Sequence, residues 1–263
     1  MPRLSYRHEK APSADGAFRV SGGNPIGLYD GPVSLFEPYD QMGEAYESHA
    51  QDGAYNAHYD RPAVLSTVGA VDELDVLDAA CGPGFYSEAL ADIGARVTAF
   101  DASERMLALA TARSHGRWPV IRASFDDPLP FESSSFDIVV CALAIHYAAD
   151  RLATFGEFHR VLRTGGRCVV STQHPMSDWL RKGGSYFDVA LETDTWGPWS
   201  GDQQVAYWRE PLSALCAAAT GVGFLIKNVV EPLPVETMRS VSEAAYEQLS
   251  VAPEFLILEL VKL

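Results

Sequence analysis

Val76-Leu77-Asp78-Ala79-Ala80-Cys81-Gly82-Pro83-Gly84, followed by a short helical run and then by Val97-Thr98-Ala99-Phe100-Asp101, is the stretch that decides the fold. Its first half reads as a buried strand running into a tight turn. Gly82 and Gly84 let the backbone bend sharply and approach a ligand with no Cβ in the way, while Pro83 restricts the turn. A helix and a second strand ending in the carboxylate of Asp101 complete a pocket for an adenosine-type cofactor. A dinucleotide would need a third glycine near its pyrophosphate, and that position holds Ser87. A nucleoside with an amino-acid tail has no phosphate but carries positive charge, which suits the carboxylate of Asp78 beside the loop. Asp101 can accept two ribose hydroxyls from either kind of ligand, so by itself it leaves the choice open.

Outward from this segment, strands and helices alternate. Apolar runs rich in Val and Ile predict strands at 74–79, 96–100, 119–122, 136–141, 167–172, 223–231 and 255–261. Helical spacing predicts helices at 84–93, 103–113, 151–163, 211–221 and 236–249, with Ser103 and Asp150 as N-caps. The helix at 151–163 is expected to stop at Gly165-Gly166, where a left-handed cap is easiest. Such alternation predicts an α/β fold, a mostly parallel seven-stranded sheet covered by helices on both faces. Residues 1–35, rich in Gly, Pro, Ser and charge, are expected to form a flexible tail, and 36–263 one domain. Within that domain, 36–72 reads as two short helices broken near Gly53, a candidate lid, and 173–210 as a long irregular insert on the substrate side.

Composition narrows the partners. The 263 residues include 35 acidic and 20 basic side chains, a formal net charge of −15, and no Lys/Arg run that could track a polyanion. A nucleic-acid partner is therefore not expected, and a small-molecule substrate is. Cys81, Cys141, Cys168 and Cys216 lie in apolar or helical stretches without disulfide or metal-ligand spacing, which predicts a reduced, metal-free, cytoplasmic protein. No signal-peptide pattern and no run of about 18 apolar residues is present, so neither export nor membrane insertion is expected.

The segment at 76–84 resembles motif I of the class I S-adenosylmethionine-dependent methyltransferases. Three further segments agree with that family in order: Pro128-Leu129-Pro130-Phe131 leading to 135–140, Ala144-Ile145-His146-Tyr147, and Arg160-Val161-Leu162-Arg163-Thr164-Gly165-Gly166. Together they are similar to the small-molecule branch that includes ubiquinone and menaquinone methyltransferases, over roughly residues 39–263. Ala80 stands where the family usually has its first glycine, and Ser124 stands where it usually has an acidic residue. The resemblance implies a Rossmann-like three-layer α/β/α sandwich whose last strand is antiparallel, and S-adenosyl-L-methionine as cofactor. It implies Asp78, Ala80, Gly82 and Gly84 around the methionine portion, Asp101 on the ribose, Ala102 and Met106 beside the adenine, and Ala144 near the amino group. Ser124 and Phe125 would meet the adenine edge, with Asp126 as the fallback, and Tyr46 matches a tyrosine placed near the cofactor carboxylate.

Methyl transfer is an in-line displacement that needs alignment and exclusion of water more than any single side chain. A general base helps when the acceptor atom carries a proton, and His146 and His174, past the ends of the fourth and fifth strands, are the candidates. The insert holds Trp179, Tyr186, Trp196 and Tyr207, expected to form a wall for an apolar or aromatic acceptor methylated at O, C or N. A nicotinamide-dependent oxidoreductase and a non-catalytic nucleoside-binding domain are the alternatives.

Overall fold

The structure is a computed structural model that describes residues 35–263, all within one unit of the chain, Pro32–Leu263. The tail expected over 1–35 lies outside the described residues except for Leu35. Helix α1 (Glu37–Asp52) ends at Gly53, where any Cβ would collide with the carbonyl oxygen of His49. A π-helical turn over Asn56–Asp60 then feeds α2 (Arg61–Val68). Alternation begins with β1 (Asp75–Ala79), α3 (Phe85–Asp92), β2 (Arg96–Asp101), α4 (Glu104–Ser114), β3 (Val120–Arg122) and β4 (Phe136–Ala142). Ser103 caps α4 by accepting from the Met106 amide at 3.1 Å, and Asp150 caps α5 (Arg151–Val161) by accepting from Ala153 at 2.9 Å.

Three expectations are corrected here. Helix α5 stops at Val161 rather than at Gly165-Gly166, because Leu162 is already extended and pairs with Phe136 as the first residue of β5 (Leu162–Gln173). The two glycines instead serve an irregularity in that strand, where Gly165 takes φ 78° and the pairing jumps from Phe136↔Leu162 to Ile138↔Arg167. The insert is regular: α6 (Pro175–Lys182) is followed by β6 (Ala190–Thr195) and β7 (Gln204–Arg209), an antiparallel hairpin registered from Ala190↔Arg209 to Thr195↔Gln204. Its first strand escapes a hydrophobic pattern because the more covered positions include Glu192 and Asp194, paired with Arg209 and Lys182, while Leu191 is exposed. After α7 (Leu212–Gly221) and β8 (Phe224–Val230), the single helix expected at 236–249 is split into α8 (Met238–Val241) and α9 (Glu243–Leu249). Ser242 leaves helical geometry to cap α9, accepting from the Ala245 amide at 3.2 Å. Strand β9 (Phe255–Lys262) closes the chain.

The main sheet has the order β3-β2-β1-β4-β5-β9-β8, parallel throughout except for β9, which is antiparallel to both neighbours. This is the Rossmann-like three-layer α/β/α sandwich with an antiparallel last strand. The continuous apolar strands divide between two cores by simple alternation. Val76, Ile138 and Val140 face a core with Val64, Val68, Leu90 and Ala110 of α2, α3 and α4. Leu77, Val139 and Cys141 face the other, with Phe155 and Phe158 of α5 and Leu215 and Ala219 of α7. Because β1 lies between β2 and β4, the strand order reverses there and opens a crevice at the carboxyl ends.

Candidate active site

The loop leaving β1 is shaped by backbone geometry. Ala80, Gly82 and Gly84 all take left-handed φ values, 56°, 54° and 88°. Alanine thus fills the departure from the family pattern in a conformation that usually favours glycine. The Gly82 amide donates to Asp101 Oδ2 at 2.8 Å, and the Ser103 amide donates to Oδ1 at 2.9 Å. Burial raises the Asp101 carboxyl to about 6, against the lowering effect of the amides of Ser103, Gly82 and Ala102. A Cβ on Gly82 would meet nothing nearer than the Tyr46 ring at 3.9 Å, so the open space over the loop is a cradle that a side chain would fill. Gly84 serves packing instead: its Cβ would come within 3.3 Å of Ala110 Cα on α4.

Asp78 is buried under this loop, where its Oδ2 accepts from Ser87 Oγ at 2.5 Å. Burial pushes its carboxyl up to about 7, with the Ser87 hydroxyl and amide pulling the other way. Ser87, at the position where a dinucleotide site needs glycine, is itself fully buried and turned toward Asp78. That arrangement leaves no pyrophosphate approach there.

A cavity of about 520 Å³ opens over the loop. Tyr46, Ala80, Gly82, Asp101, Ala102, Met106, Ser124, Phe125 and Ala144 line it, together with Asp126, so the structure brings together every expected cofactor residue except Asp78 and Gly84. Met106 and Phe125 offer apolar surface for a base, with Phe125 packed edge-on against Phe100 at 5.9 Å. The Ser124 hydroxyl accepts from the Asp126 amide at 3.1 Å. The buried indole nitrogen of Trp208, also on the lining, has no hydrogen-bond partner, and neither does Arg61 Nε. Arg61 and Arg113 sandwich the ring of Phe85 at 4.5 and 4.0 Å, and Arg113 also donates to the Pro83 carbonyl at 2.8 Å. Arg61 in turn donates to Ala50 O at 2.7 Å and so ties the end of α1 to the glycine loop. A polar cradle, a carboxylate held by amides and an apolar slot fit a nucleoside with an amino-acid tail.

A second cavity, about 510 Å³, shares Tyr39, Tyr46, Leu143 and Tyr147 with the first. The shared wall is held by a hydroxyl pair, Tyr39 and Tyr147 at 2.7 Å, and Leu143 sits in it with φ 50°. Burial keeps all three tyrosines un-ionised, raising Tyr46 to about 12 and pushing Tyr39 and Tyr147 well up as well. Trp196 and Trp199, from the tip of the hairpin, close against α1: Trp196 lies 6.1 Å from Tyr46 and 5.8 Å from Tyr39, and Trp199 stacks on His49 at 4.0 Å. His146 lines this cavity with Nδ1 3.0 Å from Thr172 Oγ1, and burial next to Arg151 lowers it to about 3, so it is neutral.

The other expected residues lie elsewhere. His174 caps α6, its Nδ1 accepting from the Met176 amide at 3.2 Å and its Nε2 lying 3.1 Å from Glu231 Oε1, away from both cavities. Trp179 donates to Gly184 O at 3.0 Å and packs edge-on against Tyr186, whose hydroxyl accepts from the Leu212 amide at 3.1 Å. Both anchor the insert. Tyr207 is buried behind the second cavity, accepting from Arg181 at 3.0 Å. Sequence reasoning missed Tyr39 and Tyr147, which line both cavities. Tyr39 precedes Tyr46 by two helical turns on the same face of α1, and Tyr147 adjoins His146 in a segment already singled out, so both carried a usable signal.

Among the described residues, no group of three His, Cys, Asp or Glu could hold a metal ion, and no helix is long and apolar enough to cross a membrane. Residues 77–170 match the family model of a methyltransferase domain. The chain is 33% identical over 134 residues to malonyl-[acyl-carrier protein] O-methyltransferase of Pseudescherichia vulneris, covering 51% of each protein. It is 34% identical over 142 residues to demethylmenaquinone methyltransferase of Clavibacter sepedonicus, covering 53% of this chain and 58% of that one. The match thus spans about half the length of these curated relatives. An S-adenosylmethionine-dependent methyltransferase from Mesorhizobium loti superimposes with a TM-score of 0.61 at 25% identity, covering 80% of this chain and 99% of that one. Another described in the same terms, from Listeria monocytogenes, gives 0.66 at 21% identity over 78% and 96%, a likeness of fold. Residues 77–170 match a methyltransferase domain, and the chain shares the fold of S-adenosylmethionine-dependent methyltransferases.

Proposed function

We propose that this chain transfers a methyl group from S-adenosylmethionine to a small molecule with an apolar or aromatic body, held in the second cavity. The observation that carries this reading is the wall the two cavities share at Tyr39, Tyr46, Leu143 and Tyr147. Ligands in two cavities that share these four side chains lie next to each other, as direct transfer between them requires.

Asp101 would hold the ribose, Met106 and Phe125 the adenine, Ser124 its edge, and the cradle over Gly82 the methionine portion, with Tyr46 at the carboxylate end. When bound, the cofactor supplies an electrophilic methyl on a sulfonium. The protein aligns the acceptor and excludes water, and the aromatic closure between α1 and the hairpin serves both tasks. His146 is neutral and too weakly basic to take a proton, so on the lining of the second cavity it serves as a hydrogen-bonding partner rather than a general base. Asp78 supports the loop from beneath, and His174, Trp179 and Tyr186 support the insert.

Calorimetric titration with S-adenosylhomocysteine tests the cofactor half of this reading, with micromolar binding expected and no heat for NAD or NADP. The transfer half is tested by incubating the chain with methyl-labelled S-adenosylmethionine and a panel of small aromatic alcohols, acids and amines. Label recovered in none of them, from protein that binds S-adenosylhomocysteine, would favour a binding role without transfer.

A further inference from the structure

The second cavity combines rings, carboxylate and committed cation in a way that points to a charge class. Tyr39, Tyr46, Tyr147, Trp196 and Trp199 line it with electron-rich rings, the three tyrosines on the wall shared with the first cavity and the two tryptophans packed against Tyr46. Glu254 lies on the same lining, with Gln248 Nε2 donating to its Oε1 at 3.1 Å. Among the described lining residues, Arg181 is the sole fixed cation, and it is already engaged: it donates to Asp178 at 2.6 Å and to Gln173 at 3.3 Å, and it lies 3.3 Å from Asp194. The two histidines of the lining, His49 and His146, are both shifted toward the neutral form by burial.

An anionic acceptor would therefore find no uncommitted positive charge and would face Glu254. A positively charged nitrogen would find ring faces, which attract cations through their quadrupole, and a carboxylate. We infer, on the basis of the methyltransferase reading above, that the second cavity recognises an alkylammonium group and that the methyl acceptor is an amine nitrogen. In that reaction the lone pair of the deprotonated amine forms the new C–N bond as the S–CH3 bond breaks. The sulfur leaves as the neutral thioether of S-adenosylhomocysteine, and the proton that the ammonium gives up before the transfer passes to solvent.

The class is tested on the full chain saturated with S-adenosylhomocysteine, titrated calorimetrically with choline and with its uncharged isostere 3,3-dimethyl-1-butanol. Choline is expected to bind about tenfold more tightly than the alcohol. In Glu254→Gln that preference is expected to shrink about threefold or more while S-adenosylhomocysteine affinity stays constant, and in Trp196→Leu choline binding is expected to weaken by a similar factor. Equal or tighter binding of the alcohol would overturn the amine assignment and leave the methyltransferase reading intact. The same holds for absence of choline binding by protein that retains S-adenosylhomocysteine. Failure to bind S-adenosylhomocysteine would overturn both.

Discussion

The glycine loop and the hairpin insert both bury carboxylates close to a cavity, and they satisfy them in opposite ways. Asp101 is held by backbone amides of its own neighbourhood, Gly82 and Ser103. Asp178, Asp194 and Glu192 are held by the side chains of Arg181, Lys182 and Arg209. A carboxylate fixed by amides keeps lone pairs free for a ligand, and its geometry follows from a few adjacent residues. Carboxylates fixed by guanidinium and ammonium groups are consumed in shaping the hairpin, and what remains to face a ligand is the aromatic tip. The first region is therefore a chemical reader of its ligand and the second mainly a shaped cover.

Asp101→Ala attacks this contrast with the largest expected effect. Two charge-assisted hydrogen bonds to the ribose would be lost, about 3 kcal/mol together, so S-adenosylhomocysteine affinity should fall about 100-fold by calorimetry. The same carboxylate gives a pH signature. Its folded value, about 6, lies above the ordinary 3.8, so the folded protein binds this proton more tightly than the unfolded chain does. The stability that the protonated form contributes is full below about 4 and is lost as pH rises through about 6. Cofactor binding runs the other way because the ribose hydroxyls need the ionised acceptor. Affinity should drop toward tenfold per unit as pH falls below about 6, and Asp101→Asn should flatten that slope.

Trp196→Ala sharpens the other side. Its ring touches Tyr46 and Tyr39 at the shared wall but does not line the first cavity. The loss of about 1.5 kcal/mol of ring packing should raise the acceptor KM about tenfold and change S-adenosylhomocysteine affinity less than about threefold. Equal losses in both would show that the tip holds the cofactor fold together rather than the acceptor.

The same contrast explains what could be read in advance. Strand β1, its loop and Asp101 are legible because one apolar run, a glycine-bearing loop with three left-handed residues and the carboxylates of Asp78 and Asp101 lie within 26 residues, and their partners are close in sequence. The hairpin was not legible because its partners include Lys182 of α6 and the aromatic side of α1, chosen by tertiary contact. In β6 Leu191 faces the first cavity and stays partly exposed while Glu192 and Asp194 are covered, which inverts the pattern that marks a strand. Gly165-Gly166 illustrates a middle case. The residues do take an unusual backbone, but whether that ends a helix or bends a strand depended on Leu162 finding Phe136.

The smallest expected effect separates two histidines that the sequence placed alike, each just past the end of a strand. His146 lies on the second cavity wall, and His174 is turned into the start of α6. His174→Ala removes the cap on the Met176 amide and should cost about 1 kcal/mol of stability, read as a shifted denaturant midpoint with unchanged slope. Its kcat should stay within about twofold of the parent, because nothing at the shared wall depends on that imidazole. His174→Asn should restore the midpoint, since asparagine caps well, and this rescue is what a purely structural role requires. A tenfold fall in kcat that asparagine does not rescue, with the midpoint unmoved, would place His174 in the chemistry and make the hairpin side a reader of its ligand as well.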